Sequence, residues 1–228
     1  MFYSAAAQEQ PFIHPQYPAG QDFYEGGSKL LYKEIHNTLR KLAIEPCLNE
    51  EVRYTGSVLV RENSKISFVK DFDSVNITAN KCAYDIFRKV LPHLKKWKPA
   101  FIDGKTVNAV SQFTLVPNHL FNYYQEGYFY TEEVKNAEFP GGLTAFRQEI
   151  LKNFRADVVP TGMIKRVVVH FVVGRDGRIE DVTAEGDSPH VNAEALRTVY
   201  RIKTLWKPAT KYGVQVRARY KLPLAFGS

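Results

Sequence analysis

The chain has 228 residues, 44% hydrophobic and 24% charged, with a formal charge of +7 and a pI near 9.3. These proportions are ordinary for globular protein, and the length suits one large or two small domains. No run approaches the ~20 apolar residues that a membrane-spanning helix needs. The basic balance predicts affinity for anionic surfaces, or simply a solvated basic face.

Residues 1–10 read as a tail. Ala5-Ala6-Ala7 looks like the small-residue end of a signal peptide whose basic and apolar parts are missing, which predicts an exported protein with a trimmed start. After Tyr24-Glu25, the pair Gly26-Gly27 allows a sharp entry into a helix over Ser28–Leu42, with Leu31, Ile35 and Leu39 on one face. Tyr54–Val60 and Lys65–Val69 form a predicted hairpin around Asn63-Ser64. A second helix starts near Thr78, carries Cys82, Ile86 and Val90 inward, and ends at Pro92. Val107, Ala109, Ser111, Phe113 and Leu115 alternate as a closing strand.

The stretch 120–138 carries Phe121, Tyr123, Tyr124, Tyr128, Phe129 and Tyr130. It is too aromatic for a flexible tether and reads as a connector that packs domains together, with a strand over Tyr128–Val134. Phe139-Pro140-Gly141-Gly142 then opens a helix over Thr144–Phe154. Val167, Val169, Phe171 and Val173 alternate as a strand, Asp176-Gly177 signals a type I′ hairpin, and Ile179–Ala184 returns. Ser188 and Pro189 occupy N-cap and first helical position of a helix with Val191, Ala195, Val199 and Ile202 on its apolar stripe. The last predicted strand is Val214–Leu222: Val216, Ala218, Tyr220 and Leu222 face in, and Arg217, Arg219 and Lys221 face out.

The two halves echo one another. Trp97-Lys98-Pro99-Ala100 recurs as Trp206-Lys207-Pro208-Ala209, 109 positions later. Asn63-Ser64-Lys65-Ile66 and Asp176-Gly177-Arg178-Ile179 lie 113 apart, and Tyr24 and Phe139 lie 115 apart. Gly26, Gly27, Glu34, Ile35 and Arg40 fall on Gly141, Gly142, Glu149, Ile150 and Arg155. Three ordered matches predict one duplicated module. The implied division is a tail (1–10), a first module (11–119), the aromatic connector (120–138) and a second module (139–228). Both tryptophans read as core anchors, and Lys98-Pro99 and Lys207-Pro208 as helix stops leading into the final strands.

Two cysteines, Cys47 and Cys82, are present. Cys82 reads as a small buried hydrophobe, and a bridge to Cys47 is open in an oxidising compartment. They form no zinc site. The six histidines show no metal-ligand spacing, and His170 falls on the outward face of a strand. There is no nucleophile elbow, P-loop or dinucleotide fingerprint. Asp71 and Asp73, and Glu132-Glu133, read as surface charges. The chain is therefore expected to be non-catalytic, with no cofactor, metal or nucleic acid.

The order aromatic-x-Gly-Gly, helix, hairpin, helix, Trp-Lys-Pro-Ala, Gly-x-x-Val and amphipathic strand resembles the C-terminal domain of TonB proteins. Phe139–Phe226 resembles it closely, through Arg175-Asp176-Gly177-Arg178-Ile179, Glu194-Ala195-Leu196, Gly213 and Tyr220-Lys221-Leu222-Pro223 besides the motifs above. Phe12–Pro117 resembles it more distantly. The resemblance implies an α+β fold: two tandem small modules, each a three-stranded antiparallel sheet, with room for an extra N-terminal strand, covered by two helices. It implies the periplasm of Gram-negative bacteria, and a partner peptide from an outer-membrane transporter or other envelope protein that adds a strand beside the last strand. Neither the anchor nor the proline-rich spacer of a full transducer is seen, which sets energy transduction by this chain in doubt. From the residues alone, a final strand in a small open sheet leaves unpaired N–H and C=O groups to a partner. That places the binding edge on Val214, Gln215, Val216, Arg217, Ala218, Arg219, Tyr220, Lys221 and Leu222. The three cations either steer an acidic segment or discourage aggregation. The alternative is an envelope scaffold held to peptidoglycan or another anionic polymer by the basic surface.

Overall fold

A computed structural model describes residues 12–227. The tail with Ala5-Ala6-Ala7 lies outside the described residues. The fold is α+β, and its contacts divide the chain into two units, 1–130 and 131–228.

In the first unit, β1 (Ile13–His14), α1 (Gly27–Lys41), β2 (Tyr54–Val60), β3 (Ile66–Phe68), α2 (Ser74–Ala79), α3 (Lys81–Val90), β4 (Ala100–Ile102), β5 (Lys105–Leu115) and α4 (Pro117–Asn122) follow in order. The sheet runs β1-β5-β2-β3, with β4 also on β5. The expected three strands are thus present, with β1 and β4 added to them. β1 joins in parallel, whereas the other pairs are antiparallel. Asp103-Gly104, both at positive φ, turns β4 into β5, as a type I′ hairpin requires. Leu31, Ile35 and Leu39 of α1 are fully buried. Gly56 has no Cβ because the Phe87 ring would lie 2.2 Å from it. Phe87 stacks on Phe113, and Phe113 lies beside Trp97.

Cys82 corrects the expectation of a buried hydrophobe: it is exposed on α3 and forms a disulfide with buried Cys47. The bridge ties the irregular segment after α1 to α3. Of the 120–130 aromatics, Tyr124 and Tyr128 pack against α1 of this unit, whereas Phe129 is exposed. Tyr124 stacks on His36, Tyr128 meets Tyr32 edge-on, and the His36 ring nitrogen Nδ1 lies 2.7 Å from the Leu120 carbonyl. The strand expected over Tyr128–Val134 is replaced by β6 (Val134–Lys135).

The second unit continues with α5 (Gly142–Asn153), β7 (Lys165–Val173), β8 (Ile179–Gly186), α6 (Pro189–Arg201), β9 (Ala209–Lys211), β10 (Val214–Val216) and β11 (Ala218–Phe226). Two small sheets result, β11-β7-β8 and β10-β9-β6. Phe146 and Ile150 of α5, Val191, Ala195 and Val199 of α6, and Val167, Val169 and Phe171 of β7 form the core with Trp206. Trp206 touches the rings of Phe139, Phe146, Phe171 and Tyr220. At Gly177 φ is +82° and a Cβ would sit 2.1 Å from the Trp206 carbonyl oxygen, so both conformation and space demand glycine. Asp176 accepts from the Arg178 N–H at 3.0 Å. Of the Asp176-Gly177 pair only Gly177 has positive φ, so the expected type I′ turn is instead a turn over Arg175-Asp176. The Gly177 N–H closes it on the Gly174 carbonyl, with Gly177 left-handed behind it.

Pro99 and Pro208 do not end helices. α3 stops at Val90 and α6 at Arg201, and the prolines sit in extended chain ahead of β4 and β9. Ser188 holds the N-cap position of α6, yet its hydroxyl makes no capping bond.

Strand registers correspond between the units at the offsets read from sequence. Tyr54↔Leu115 and Val60↔Ala109 map onto Val167↔Leu224 and Val173↔Ala218. Ala100↔Val107 maps onto Ala209↔Val216. The Gly27 N–H donates to the Tyr24 carbonyl as Gly142 donates to Phe139.

Candidate functional site

The predicted edge strand is two strands. Val214–Val216 forms β10 against β9, the chain breaks at Arg217, and Ala218–Phe226 forms β11 against β7. The break arises because one length of chain serves two partners. Tyr212-Gly213, at φ +54° and +84°, folds β10 back on β9; beyond Arg217 the chain moves to β7. The expected boundary at Leu222 therefore shifts to Phe226. Val214 is buried and Gln215 is half-buried; Val216, Ala218 and Tyr220 lie partly buried against the core, and Leu222 lies within it.

β11 forms one border of its sheet: β7 lies on one side, and among the described residues no strand lies on the other. Pro223 fixes which main-chain groups face that border. Proline has no N–H, yet Pro223 stands in the unbroken register opposite Val168, so its nitrogen points away from β7. Main-chain groups alternate sides along a strand. Those of Ala218, Tyr220, Leu222, Leu224 and Phe226 therefore serve β7. Those of Arg219, Lys221 and Ala225 face the border, where Pro223 offers a carbonyl alone. The same residues carry the exposed side chains of β11. The first unit agrees: Thr114, the counterpart of Pro223 at the offset of 109, has its carbonyl free to accept the Tyr32 hydroxyl at 2.5 Å.

The three cations of the predicted edge separate. A bulge opposite Phe171 puts Asp181 at positive φ, and Arg217 bonds Asp181 at 2.6 Å and Glu180 at 2.8 Å. These carboxylates hold the Arg217 guanidinium above its ordinary pKa, the Asp181 hydrogen bond contributing most. Arg217 is thus engaged at the break. Arg219 and Lys221 are exposed and have no ion-pair partner among the described residues.

At the N-terminal end of β11 a groove of about 370 Å³ is walled by Phe139, Leu143, Trp206, Ala218, Arg219 and Tyr220. The Tyr220 hydroxyl closes one end by donating to the Ala137 carbonyl at 2.5 Å, and burial raises its pKa. The buried Trp206 Nε1 has no hydrogen-bond partner among the described residues, whereas Trp97 Nε1 donates to the Leu94 carbonyl at 2.9 Å.

The remaining candidates have local roles. Gly141 and Gly142 hold positive φ at the start of α5. Asp71 accepts from the Tyr54 hydroxyl and Asp73 caps α2. His170 pairs with Glu185 on an exposed strand face. No group of three potential metal ligands occurs among the described residues, and no described helix is long and apolar enough to cross a membrane.

Residues 161–227 match the family model described as Gram-negative bacterial TonB protein C-terminal. The match covers β7 through β11 and supports the resemblance seen in the motifs of this half. No curated protein matches the chain, and no solved structure does.

Proposed function

We propose that the second unit is a non-catalytic receptor for an extended peptide, which adds as a strand along the border of β11. The observation that carries this reading is the free main-chain border of Arg219 and Lys221, terminated by Pro223. A partner strand gains main-chain hydrogen bonds there, and two exposed cations favour an acidic segment. The match of residues 161–227 to the TonB C-terminal family supports a partner in the outer membrane, such as a transporter's periplasmic segment. The Cys47–Cys82 disulfide supports an oxidising compartment, in keeping with the periplasm.

The corresponding registers and turns support a reading of the two units as copies of one module, the first diverged. Its counterparts of Arg219 and Lys221 are Val110 and Gln112, so its border lacks both cations.

The test is capture of envelope proteins by the full chain and by its Arg219→Pro and Lys221→Pro variants. Each substitution deletes a border N–H while leaving the β7 ladder whole, so capture falls at least about tenfold with the fold intact. Undiminished capture by both variants refutes strand addition. Retention of anionic polymer by both variants, lost steeply with salt, would instead favour the scaffold reading.

A further inference from the structure

We propose that the outer border of β5 in the first unit is a second strand-addition site, held closed by the chain's own segment β1. This rests on the strand-addition reading of β11 and extends it to the other unit. Ile13 and His14 pair in parallel with Asn108 and Ala109. At the offset of 109 these partners correspond to Arg217 and Ala218, where the border of the second unit begins. β1 therefore occupies in the first unit the place left open in the second.

The occupant is weakly held. It pairs over two residues, with Phe12 72% and Ile13 45% exposed. It buries little side-chain surface, and a short parallel pair is a poor ladder. Beyond it, Val110 and Gln112 share the outward parity, and the Tyr32 hydroxyl takes the Thr114 carbonyl at the far end. The open length accommodates a longer antiparallel strand that displaces β1. The Tyr17 hydroxyl, donating to the Lys98 carbonyl at 2.6 Å, anchors the chain just after β1, so β1 can leave while the segment leading into α1 stays in place. With no cation at Val110 or Gln112, this border selects for a neutral extended segment, such as β1 itself.

The experiment compares the full chain with a version beginning at Gln16, both carrying Lys221→Pro to silence the β11 border. A synthetic peptide of residues 8–16 is titrated to millimolar concentration while amide resonances are followed. In the shortened chain, the outward amides of Asn108 and Val110, next to β1, exchange at least about tenfold faster, and residues 108–112 shift on adding peptide; in the full chain they do neither. A full-length Ile13→Pro/His14→Pro variant, which removes the β1 donors without shortening the chain, behaves like the shortened one. Absence of peptide-induced shifts at residues 108–112 in both opened variants overturns the proposal, as do equal shifts in the full chain. Because the readout lies on β5 and the probe is the chain's own segment, failure here is distinct from failure of peptide capture at β11.

Discussion

The parity of β11 can be tested with one substitution made twice. Ala218 and Ala225 are both alanines of β11, opposite Val173 and Arg166 in the same ladder. They differ in which way their main-chain groups point. Ala218→Pro deletes an N–H that serves β7 and leaves a buried carbonyl unpaired, costing about 1–3 kcal/mol, with ring crowding on top. We expect a total of about 2–4 kcal/mol. Ala225→Pro deletes a border N–H on an exposed residue and restricts the unfolded chain, so its effect stays within about 1 kcal/mol of zero. For a unit of this size the first loss lowers Tm by roughly 10–25 °C. The chain has two tryptophans, one in each unit. A Trp97→Phe background therefore lets Trp206 fluorescence report urea unfolding of the second unit alone. Equal destabilisation by both prolines, or a cost above about 2 kcal/mol for Ala225→Pro, would refute the assignment of the border.

Three further outcomes are expected. Replacing Cys47 and Cys82 together by alanine releases a loop of sequence separation 35 and destabilises the first unit by about 4 kcal/mol on the chain-entropy estimate; Trp97 fluorescence in a Trp206→Phe background measures it, and reductant reproduces it in the unmutated pair. Gly177→Ala costs more than about 3 kcal/mol because a Cβ would strike the Trp206 carbonyl, whereas Gly142→Ala, at φ +76° with open space, costs only the left-handed strain of about 1–2 kcal/mol; thermal unfolding ranks the two. The Glu194 carboxyl is held below its ordinary pKa, first by the Arg197 guanidinium and then by the Arg155 N–H, against the opposing effect of burial. Its stabilisation is complete above the unfolded value of about 4.3 and is lost as pH falls through the lower folded value. The second unit therefore weakens as pH falls below about 5, and Glu194→Gln flattens that dependence in urea titrations.

Local chemistry was legible in the residues. Asp176-Gly177 specified its hairpin, the Gly-Gly pairs marked the entries of α1 and α5, and period-2 alternation placed β7 and the inward face of β11. These are short-range consequences of allowed φ and side-chain alternation. Asp103-Gly104 carries the same kind of signal for the β4–β5 hairpin, and Asp73 does so as the cap that opens α2. Pro223 is the one-residue sign of a border, readable only once its strand partner is known.

What the chain order alone determined was the inventory: which segments pleat, which coil, and which echo each other across the two halves. Pairing partners were decided in three dimensions. Whether β10 and β11 form one strand or two depends on β9 and β7 competing for the same chain. Whether Arg217 is available depends on a bulge in β8, and whether Cys82 is buried depends on where Cys47 arrives. The occupancy of the β5 border depends on a segment more than ninety residues away in sequence. Such contacts form between main-chain groups that every residue carries, so side-chain identity marks a strand but does not choose its neighbour.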